Sequence, residues 1–443
     1  MSQRYLGGII TANPTTPTLT TESGVWTLEQ QFQYASTWSP EIIGNSLRFR
    51  QGATAYLSRT YGTPTSTTTG TISFWYKRGL ITSGATNLVT VFGTVNTTTG
   101  DGPYIQFSLD RLRMVDQSSD LITNAVFRDP SAWYHIVCAI DSTQATASDR
   151  VKLYVNGVQY TSFSSATYGA QNYASTLLAA GSQYIGYSQP SNARGSDGYM
   201  AECYFVDGQA LAPTSFGAYD STGVWQPLAY TGTFGTNGFY IDFSDNSGTT
   251  ATTLGKDYSG NGNNWTPNNI SLTAGATYDW MLDSPTNAVG SSTGIGNYCV
   301  LNKLSTTTGT YSNANLRYLG PSSWHRSNST FSVTSGKWYW EVTLANAPYG
   351  NVTNGAYNCF GFGLSSVFDS STGASTVTDA VILADCGYYK NFSGAWTNGG
   401  VAFSSGDVLA VAVDLGANTF TFYRNNSQVV TGTIGVTAGT ELT

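Results

Sequence analysis

The amino-acid sequence predicts an all-β protein of two antiparallel β-sandwiches in tandem, with an extended N-terminal arm and one short helix. Charged residues make up only 10% of the chain, against about 25% in an average globular protein. Gly, Ser, Thr, Asn and Tyr are abundant, and they suit short strands and tight turns. Many short segments alternate apolar and polar residues and are separated by turn signals. The 443 residues are enough for two domains, each with its own core.

One strand-turn-strand phrase occurs twice, as VKLYVNGVQY at 151–160 and as TFTFYRNNSQV at 419–429. Both copies have the period-two alternation of a half-buried strand. Asn156-Gly157 in the first copy and Asn425-Asn426 in the second supply residues that tolerate the positive φ of a tight turn. Each copy therefore predicts a β-hairpin. The recurrence fits two related β domains, and it fits equally well two families that converged on one favourable turn.

Residues 1–44 are predicted to form an arm and a docking helix. The Pro- and Thr-rich stretch TANPTTPTLTT should be extended, and SGVWTLEQQFQYA offers an amphipathic helix with Leu28 and Phe32 on one face. The apolar run LGGII is too short for a signal-peptide core, and no run is long enough to cross a bilayer. We therefore expect a soluble protein made without an export signal.

Residues 45–232 contain SLRF, SFWYKR, WYHIVCAID, VKLYVNG and the closing GYMAECYFVDGQAL. In this order the segments resemble the laminin-G-like branch of the concanavalin A-like lectin/glucanase superfamily, which implies a two-sheet sandwich. The turn SGNGNN resembles the opening of another such repeat, so a domain boundary is predicted near Gly232. Residues 233–296 are predicted to be a connecting strand and loops.

Residues 297–443 contain WYWEV, GFGLSS, GDVLAVAVD and FTFYRNN. These motifs resemble a SPRY domain, another two-sheet sandwich. A SPRY sandwich normally continues after this last hairpin with a further strand or two. The resemblance therefore implies that the last strands are absent, through truncation or through completion of the sheet by another chain.

Composition argues against several functional classes. The net charge is -7 and the 19 basic residues are scattered, so no nucleic-acid partner is expected. Two histidines and no CxxC pair predict neither a zinc site nor a disulfide framework. The five cysteines are predicted to be buried free thiols: Cys138, Cys203, Cys299, Cys359 and Cys386. Glycan-cleaving members of the superfamily use Glu-x-Asp-x-Glu, and the six glutamates here form no such cluster, so no enzyme and no catalytic residue is expected. Asp carboxylates that pair through space would be the alternative route to a glycosidase. No bound cofactor is expected other than calcium.

Calcium and ligand sites remain as specific hypotheses. Laminin-G-like domains often hold Ca²⁺ with loop carboxylates, but solvated turns also explain the candidates here, which are Asp101, Asp141, Asp149 and Asp197. The segment GYYKNFSGAWTNGG resembles a SPRY binding loop. Its Tyr388, Tyr389 and Trp396 suit stacking on a sugar or gripping a peptide. Core packing is the alternative for Trp396 and one of the two tyrosines.

The order of all these motifs resembles virion proteins of tailed bacteriophages. The resemblance implies a structural virion protein made in the host cytoplasm, most simply a homo-oligomeric tail fibre. Its arm would contact other virion proteins, and its loops would bind a host-surface glycan or protein, without membrane insertion. The alternatives are a capsid decoration protein and, from a different class, a secreted lectin or glycan hydrolase.

Overall fold

The structure is a computed structural model. It describes residues 43–81, 88–94, 102–187, 195–220, 222–286, 296–305, 309–320, 327–345, 361–365, 380–384, 388–391, 397–398, 403–436 and 439–443. The chain divides into two compact units: residues 1–298 with 312–314, and residues 299–311 with 315–443.

The first unit is a sandwich of two eight-stranded sheets. Its strands are β1 (Ser46–Phe49), β2 (Tyr56–Tyr61), β3 (Thr69–Arg78), β4 (Leu88–Thr94), β5 (Tyr104–Ser108), β6 (Arg111–Asp116), β7 (Ser119–Thr123), β8 (Trp133–Asp141), β9 (Val151–Val155), β10 (Val158–Tyr160), β11 (Phe163–Thr167), β12 (Gly181–Ile185), β13 (Gly198–Asp207), β14 (Gly217–Tyr219), β15 (Trp225–Pro227), β16 (Phe239–Ile241), β17 (Thr266–Asn268) and β18 (Trp280–Met281). Sheet A has the order β10-β9-β8-β3-β13-β1-β18, with β16 also beside β13. Sheet B has the order β11-β7-β6-β5-β4-β12-β2-β17, and β14 pairs with β15.

The core of the first unit lies between sheets A and B. On β3, Ile72, Phe74 and Tyr76 point into it, as the alternation of the sequence requires. Trp265 is fully buried there, with its ring 5.0 Å from that of Phe239. Such large rings dominate the energetics of a core because each buries much apolar surface.

The sandwich extends beyond the boundary predicted near Gly232. Strands β16, β17 and β18 pair with β13, β2 and β1. Residues predicted as a connecting segment therefore complete both sheets and contribute Trp265 to the core. These strands contain only two or three residues, which is too few for an alternating pattern to reveal them in the sequence.

The two hairpins predicted from the repeated phrase are confirmed. Strand β9 pairs with β10 through Asn156 and Gly157, whose φ angles are 48° and 80°. In the second unit Asn425 and Asn426 turn with φ angles of 48° and 63°. Both turns use residues that adopt the left-handed region at low cost.

The remaining strands are β19 (Thr310–Ser312), β20 (Arg317–Leu319), β21 (Lys337–Thr343), β22 (Gly361–Ser365), β23 (Ala380–Ala384), β24 (Tyr388–Asn391), β25 (Thr397–Asn398), β26 (Val408–Asp414), β27 (Thr419–Arg424) and β28 (Ser427–Thr433). Strands β21-β26-β27-β28 form one sheet, β22-β23-β24-β25 form another, and β19 pairs with β20. Leu364 of β22 shares a core with Val411 and Phe422 of the other sheet. Within the described ranges the only helices are short 3-10 turns, such as Gln51–Ala53, Ala147–Asp149 and Pro213–Ser215. The predicted all-β fold is confirmed; the arm and helix predicted within residues 1–44 lie in the undescribed part, apart from residues 43 and 44.

Candidate functional site

An open groove of about 730 Å³ lies on the first unit, where the loop after β2 meets the loops on either side of β16. Its lining combines aromatic rings, hydroxyl groups and an amide. The lining residues are Thr65, Tyr230, Thr231, Gly232, Thr233, Phe234, Gly235, Thr236, Ser259 and Asn261. We call this feature the sandwich-end groove.

The aromatic wall of the groove rests on the outer face of sheet A. The rings of Tyr230 and Phe234 meet edge to face, with centroids 5.1 Å apart. Behind them, Phe216 lies 5.2 Å from Tyr230 and packs with Val137 and Val206 of the sheet. Both groove rings are only partly buried. Packing from behind fixes them while one side of each stays accessible.

A buried carboxylate holds two of the groove loops together. Asp207, at the end of β13, accepts hydrogen bonds from the backbone N–H groups of Thr65 at 2.7 Å, Ser66 at 3.0 Å and Asn237 at 3.0 Å. Asn237 in turn exchanges two hydrogen bonds with the backbone of Gly62. The loop after β2 and the loop before β16 are therefore tied to one another.

The third loop is fixed in the same way. Asp257 accepts the backbone N–H of Ser259 at 2.8 Å and that of Asn263 at 2.7 Å. Asn261 donates from Nδ2 to the carbonyl oxygens of Gly235 at 2.7 Å and Gly238 at 2.9 Å. These bonds fasten the SGNGNN turn to the loop that carries the aromatic rings.

Gly235 is required at the base of the groove. Its φ is +72°, and a Cβ atom there would lie 2.0 Å from the carbonyl oxygen of Asp207. A side chain would therefore be strained and would also collide with backbone. The close approach lets Asp207 donate its N–H to the carbonyl of Phe234 at 2.8 Å, which positions the neighbouring ring.

The groove is suited to binding a polyhydroxylated ligand. An aromatic ring can contact the apolar face of a sugar, while hydroxyl and amide groups exchange hydrogen bonds with its hydroxyls. The described lining contains no carboxylate and no histidine, which are the side chains that general acid-base catalysis uses most often.

The ligand-binding residues predicted from sequence belong to the second unit, whereas the sandwich-end groove is on the first. Tyr388 and Tyr389 are on β24, where they pair with Asn398 and Thr397 of β25; their side chains are outside what the structure describes. Trp396, and the docking residues Leu28 and Phe32, lie outside the described residues. Their proposed roles stay predictions.

The calcium candidates occupy different environments. Asp141 caps an exposed turn by accepting the N–H of Thr143 at 3.1 Å, and Asp149 pairs with Lys152 at 3.1 Å. Asp197 is buried and accepts the N–H of Ala314; burial raises the pKa of its carboxyl to about 7. Asp101 lies outside the described residues. In the described part of the chain, no group of three or more His, Cys, Asp or Glu could hold a metal ion.

The cysteines agree only partly with the prediction of buried thiols. Cys138 and Cys203 are buried, and burial raises the pKa of both thiols. Cys299 is exposed, because it lies in an irregular segment ahead of β19 instead of in a sheet. Cys359 and Cys386 are outside the described residues.

In the described ranges, no helix is long and apolar enough to span a membrane.

The sandwich-end groove was not found from the sequence. The sequence patterns predict only a linker and a turn for the two segments that build it, which are TGTFGTNG at 231–238 and SGNGNN at 259–264. The available signal was the density of Gly and Asn around a single Phe. Small residues in tight turns allow backbone segments to approach closely, and they leave an aromatic ring uncovered.

Together, the described sheets define a β-sandwich protein with a concanavalin A-like, laminin-G-like fold. Residues 51–215, all in the first unit, match the family described as the concanavalin A-like lectin/glucanases superfamily. No curated protein matches the chain.

Three solved structures give weak similarities. A carbohydrate-binding-protein candidate from Bacteroides ovatus has 16% identity and a TM-score of 0.34, covering 52% of this chain and 59% of its own. The heptameric SAP-like pentraxin of Limulus polyphemus has 15% identity and a TM-score of 0.29, covering 39% and 80%. Mouse laminin alpha1 domains LG4-5 have 9% identity and a TM-score of 0.29, covering 91% and 82%. The chain thus spans about three fifths of the Bacteroides protein, and these scores are too low to support a functional argument.

Proposed function

We propose that this protein binds glycans without catalysis, through the sandwich-end groove. The observation that carries the proposal is the edge-to-face pair of Tyr230 and Phe234, partly exposed beside hydroxyl groups and the Asn261 amide. The lectin/glucanase family match over residues 51–215 supports the ligand class. A shallow, rigid site of this kind favours a sugar that is presented many times over, because weak single contacts add through avidity.

Within this proposal the protein is a structural component of a tailed-bacteriophage particle, most simply a homo-oligomeric tail fibre. This part rests on the order of sequence motifs from the Pro/Thr-rich arm to the SPRY-like end. The arm and its helix would attach the protein to other virion proteins, and the groove would contact the host surface. Synthesis in the host cytoplasm belongs to the same proposal.

Glycan binding is tested on an array of bacterial surface polysaccharides, with the full chain, Phe234→Ala and the control Val224→Ala. Val224 is exposed and lies outside the groove lining. We expect the wild-type protein and the Val224→Ala control to bind at least one polysaccharide on the array, and we expect the Phe234→Ala variant not to bind it. Equal retention of all three proteins would remove the groove from the proposal, and no retention of wild type would refute glycan binding.

The location is tested by quantitative mass spectrometry of purified particles, comparing the copy number of this chain with that of the major capsid protein. A few to a few dozen copies would place the chain on the tail, whereas hundreds would favour the alternative of a capsid decoration protein. Absence from particles would refute the virion proposal and leave the secreted lectin.

A further inference from the structure

A second candidate binding site lies on the outer face of the β21-β26-β27-β28 sheet. The register pairs Tyr339 with Ala412 and Ala412 with Thr421. It likewise pairs Lys337 with Asp414, and Asp414 with Thr419. Residues paired across neighbouring strands point to the same face of a sheet. A depression of about 340 Å³ lies at these residues.

Alanine on the central strand creates the depression. Leu409, Val411 and Val413 of β26 point into the core, so Ala410 and Ala412 between them face outward. The strands on either side, β21 and β27, are about 10 Å apart, which is twice the usual strand spacing. Both carry larger side chains, which form two walls. We call this feature the alanine trough.

The walls of the trough offer an exposed aromatic ring and polar groups. Tyr339 is 54% exposed, and its hydroxyl donates to Glu341 on the same strand. On the other wall, Thr421 shares a hydrogen bond of 3.1 Å with Thr431. Trp338 also borders the depression, but it pairs with Val413 and so belongs to the opposite face of the sheet; its indole N–H donates to the carbonyl of Ser335 at 2.6 Å.

Charge selects the kind of ligand. Lys337 and Asp414 form an ion pair of 3.0 Å at one end of the trough, and Glu341 lies on the same face two residues beyond Tyr339. The three charges sum to one negative charge, which disfavours an anionic ligand. A large protein interface would have to desolvate the ion pair, and that is costly. A neutral polyhydroxylated ring keeps such groups hydrogen-bonded while it covers an aromatic surface.

We propose that the alanine trough is a second glycan site, which takes one uncharged sugar ring against Tyr339 over the floor of Ala412. The inference rests on the proposed function only for its ligand class, since it concerns the other unit of the chain. It makes each chain bivalent for sugars, and two weak sites on one chain raise overall affinity when both are engaged.

The test is saturation-transfer NMR on the full chain with a panel of methyl glycosides of glucose, galactose, mannose, N-acetylglucosamine and rhamnose. Phe234→Ala is the starting protein, so that the sandwich-end groove is impaired. In this background Ala412→Leu fills the trough without removing a polar group, and Gln428→Leu is the control, because Gln428 is exposed on edge strand β28. Tyr339→Ala is a second trough variant, which removes the exposed ring together with its hydrogen bond to Glu341.

We expect at least one glycoside to receive saturation from Phe234→Ala and from the Gln428→Leu control. We expect at least tenfold weaker binding for Ala412→Leu and for Tyr339→Ala. Equal binding by the trough variants and the control, or no saturation transfer to any glycoside, would overturn the inference. The inference would also be overturned if Ala412→Leu changed the oligomeric state measured by analytical ultracentrifugation but left sugar binding unaffected. In that case the trough would bind a second copy of the chain. If the sandwich-end groove does not bind sugar but the alanine trough does, Phe234→Ala will bind the glycoside as strongly as the wild type. That result would contradict only the proposal for the groove.

Discussion

Asn156 and His135 exchange two hydrogen bonds. The Asn156 N–H donates to the carbonyl of His135 at 2.9 Å, and Oδ1 of Asn156 accepts the His135 N–H at 2.8 Å. The second unit repeats this arrangement, with Asn425 and the backbone of Val408 at 2.9 Å in both directions. In each unit the turn Asn ties its hairpin to the start of the preceding strand.

The first prediction concerns these turns. Asn156→Gly keeps the positive φ but removes the acceptor for the His135 N–H, so the free energy of unfolding should fall by about 1–2 kcal/mol. Asn425→Gly should cost at least as much, because it also breaks the bond from Nδ2 of Asn425 to Asp407. Chemical denaturation measures both. A control, Asn172→Gly, also at positive φ, should have a smaller effect, and equal effects at all three sites would contradict the role of the shared bond.

The second prediction concerns His135, which is fully enclosed. Its Nδ1 accepts the indole N–H of Trp225 at 3.0 Å, and Nε2 lies 2.9 Å from the Ser73 hydroxyl. Burial lowers the pKa of His135 to about 3. Since the unfolded state binds a proton near pH 6.5 and the folded state does not, stability should fall as pH drops from 6.5 toward 3.

Denaturation of wild type and His135→Gln at pH 7 and pH 4.5 checks this dependence. Between these values the wild type should lose about 2–3 kcal/mol more than the variant. An equal loss in both proteins would show that His135 does not couple folding to pH.

The third prediction has the opposite sign. Burial raises the pKa of Asp197 to about 7 and that of Asp116 to about 6. Each folded carboxyl therefore holds a proton that the unfolded chain releases near pH 4, and its contribution to stability declines as pH rises above 4. Relative to wild type, Asp197→Asn should gain stability between pH 4 and pH 8, and Asp116→Asn should gain it between pH 4 and pH 7. Matched melting curves measure the difference, and a constant offset across the range would contradict the raised pKa values.

The fourth prediction concerns a buried ion pair in the first unit. The ammonium of Lys77 donates to Asp283 at 2.7 Å, Asn297 at 2.8 Å and the carbonyl of Tyr298 at 2.6 Å. Lys77→Met would leave the Asp283 carboxylate buried without its cation, at a cost of about 3–5 kcal/mol. Adding Asp283→Asn should recover part of the loss in denaturation experiments. If the double variant were no more stable than the single one, the uncompensated charge would not be the cause.

The sequence predicted most of the fold because its longer strands alternate clearly. Strands β3, β8 and β27 each have six or more residues, and the Asn turns determine two hairpins. It failed at the end of the first unit, where β16 to β18 are too short to show a period. The ion pair between Lys77 and Asp283 joins residues 206 positions apart, a pairing that no local pattern reveals.

The site was harder to predict than the fold. The sandwich-end groove depends on Asp207 and Asp257 binding loop backbones, and an isolated Asp in a sequence does not indicate which loops it will join. The alanine trough depends on register, because only the pairing of β21, β26 and β27 brings Tyr339 beside Ala412. Aromatic residues in Gly-rich segments are the available sequence signal, and in this chain that signal indicates Tyr388, Tyr389 and Trp396.

The most direct test of glycan binding at the sandwich-end groove is a calorimetric titration. The polysaccharide that is best retained on the array is titrated into wild type, Phe234→Ala and Phe234→Tyr. An aromatic contact predicts at least tenfold weaker binding for Phe234→Ala and near wild-type affinity for Phe234→Tyr, since the second variant restores the ring. Unchanged affinity in Phe234→Ala would contradict the account, and so would an equal loss in both variants.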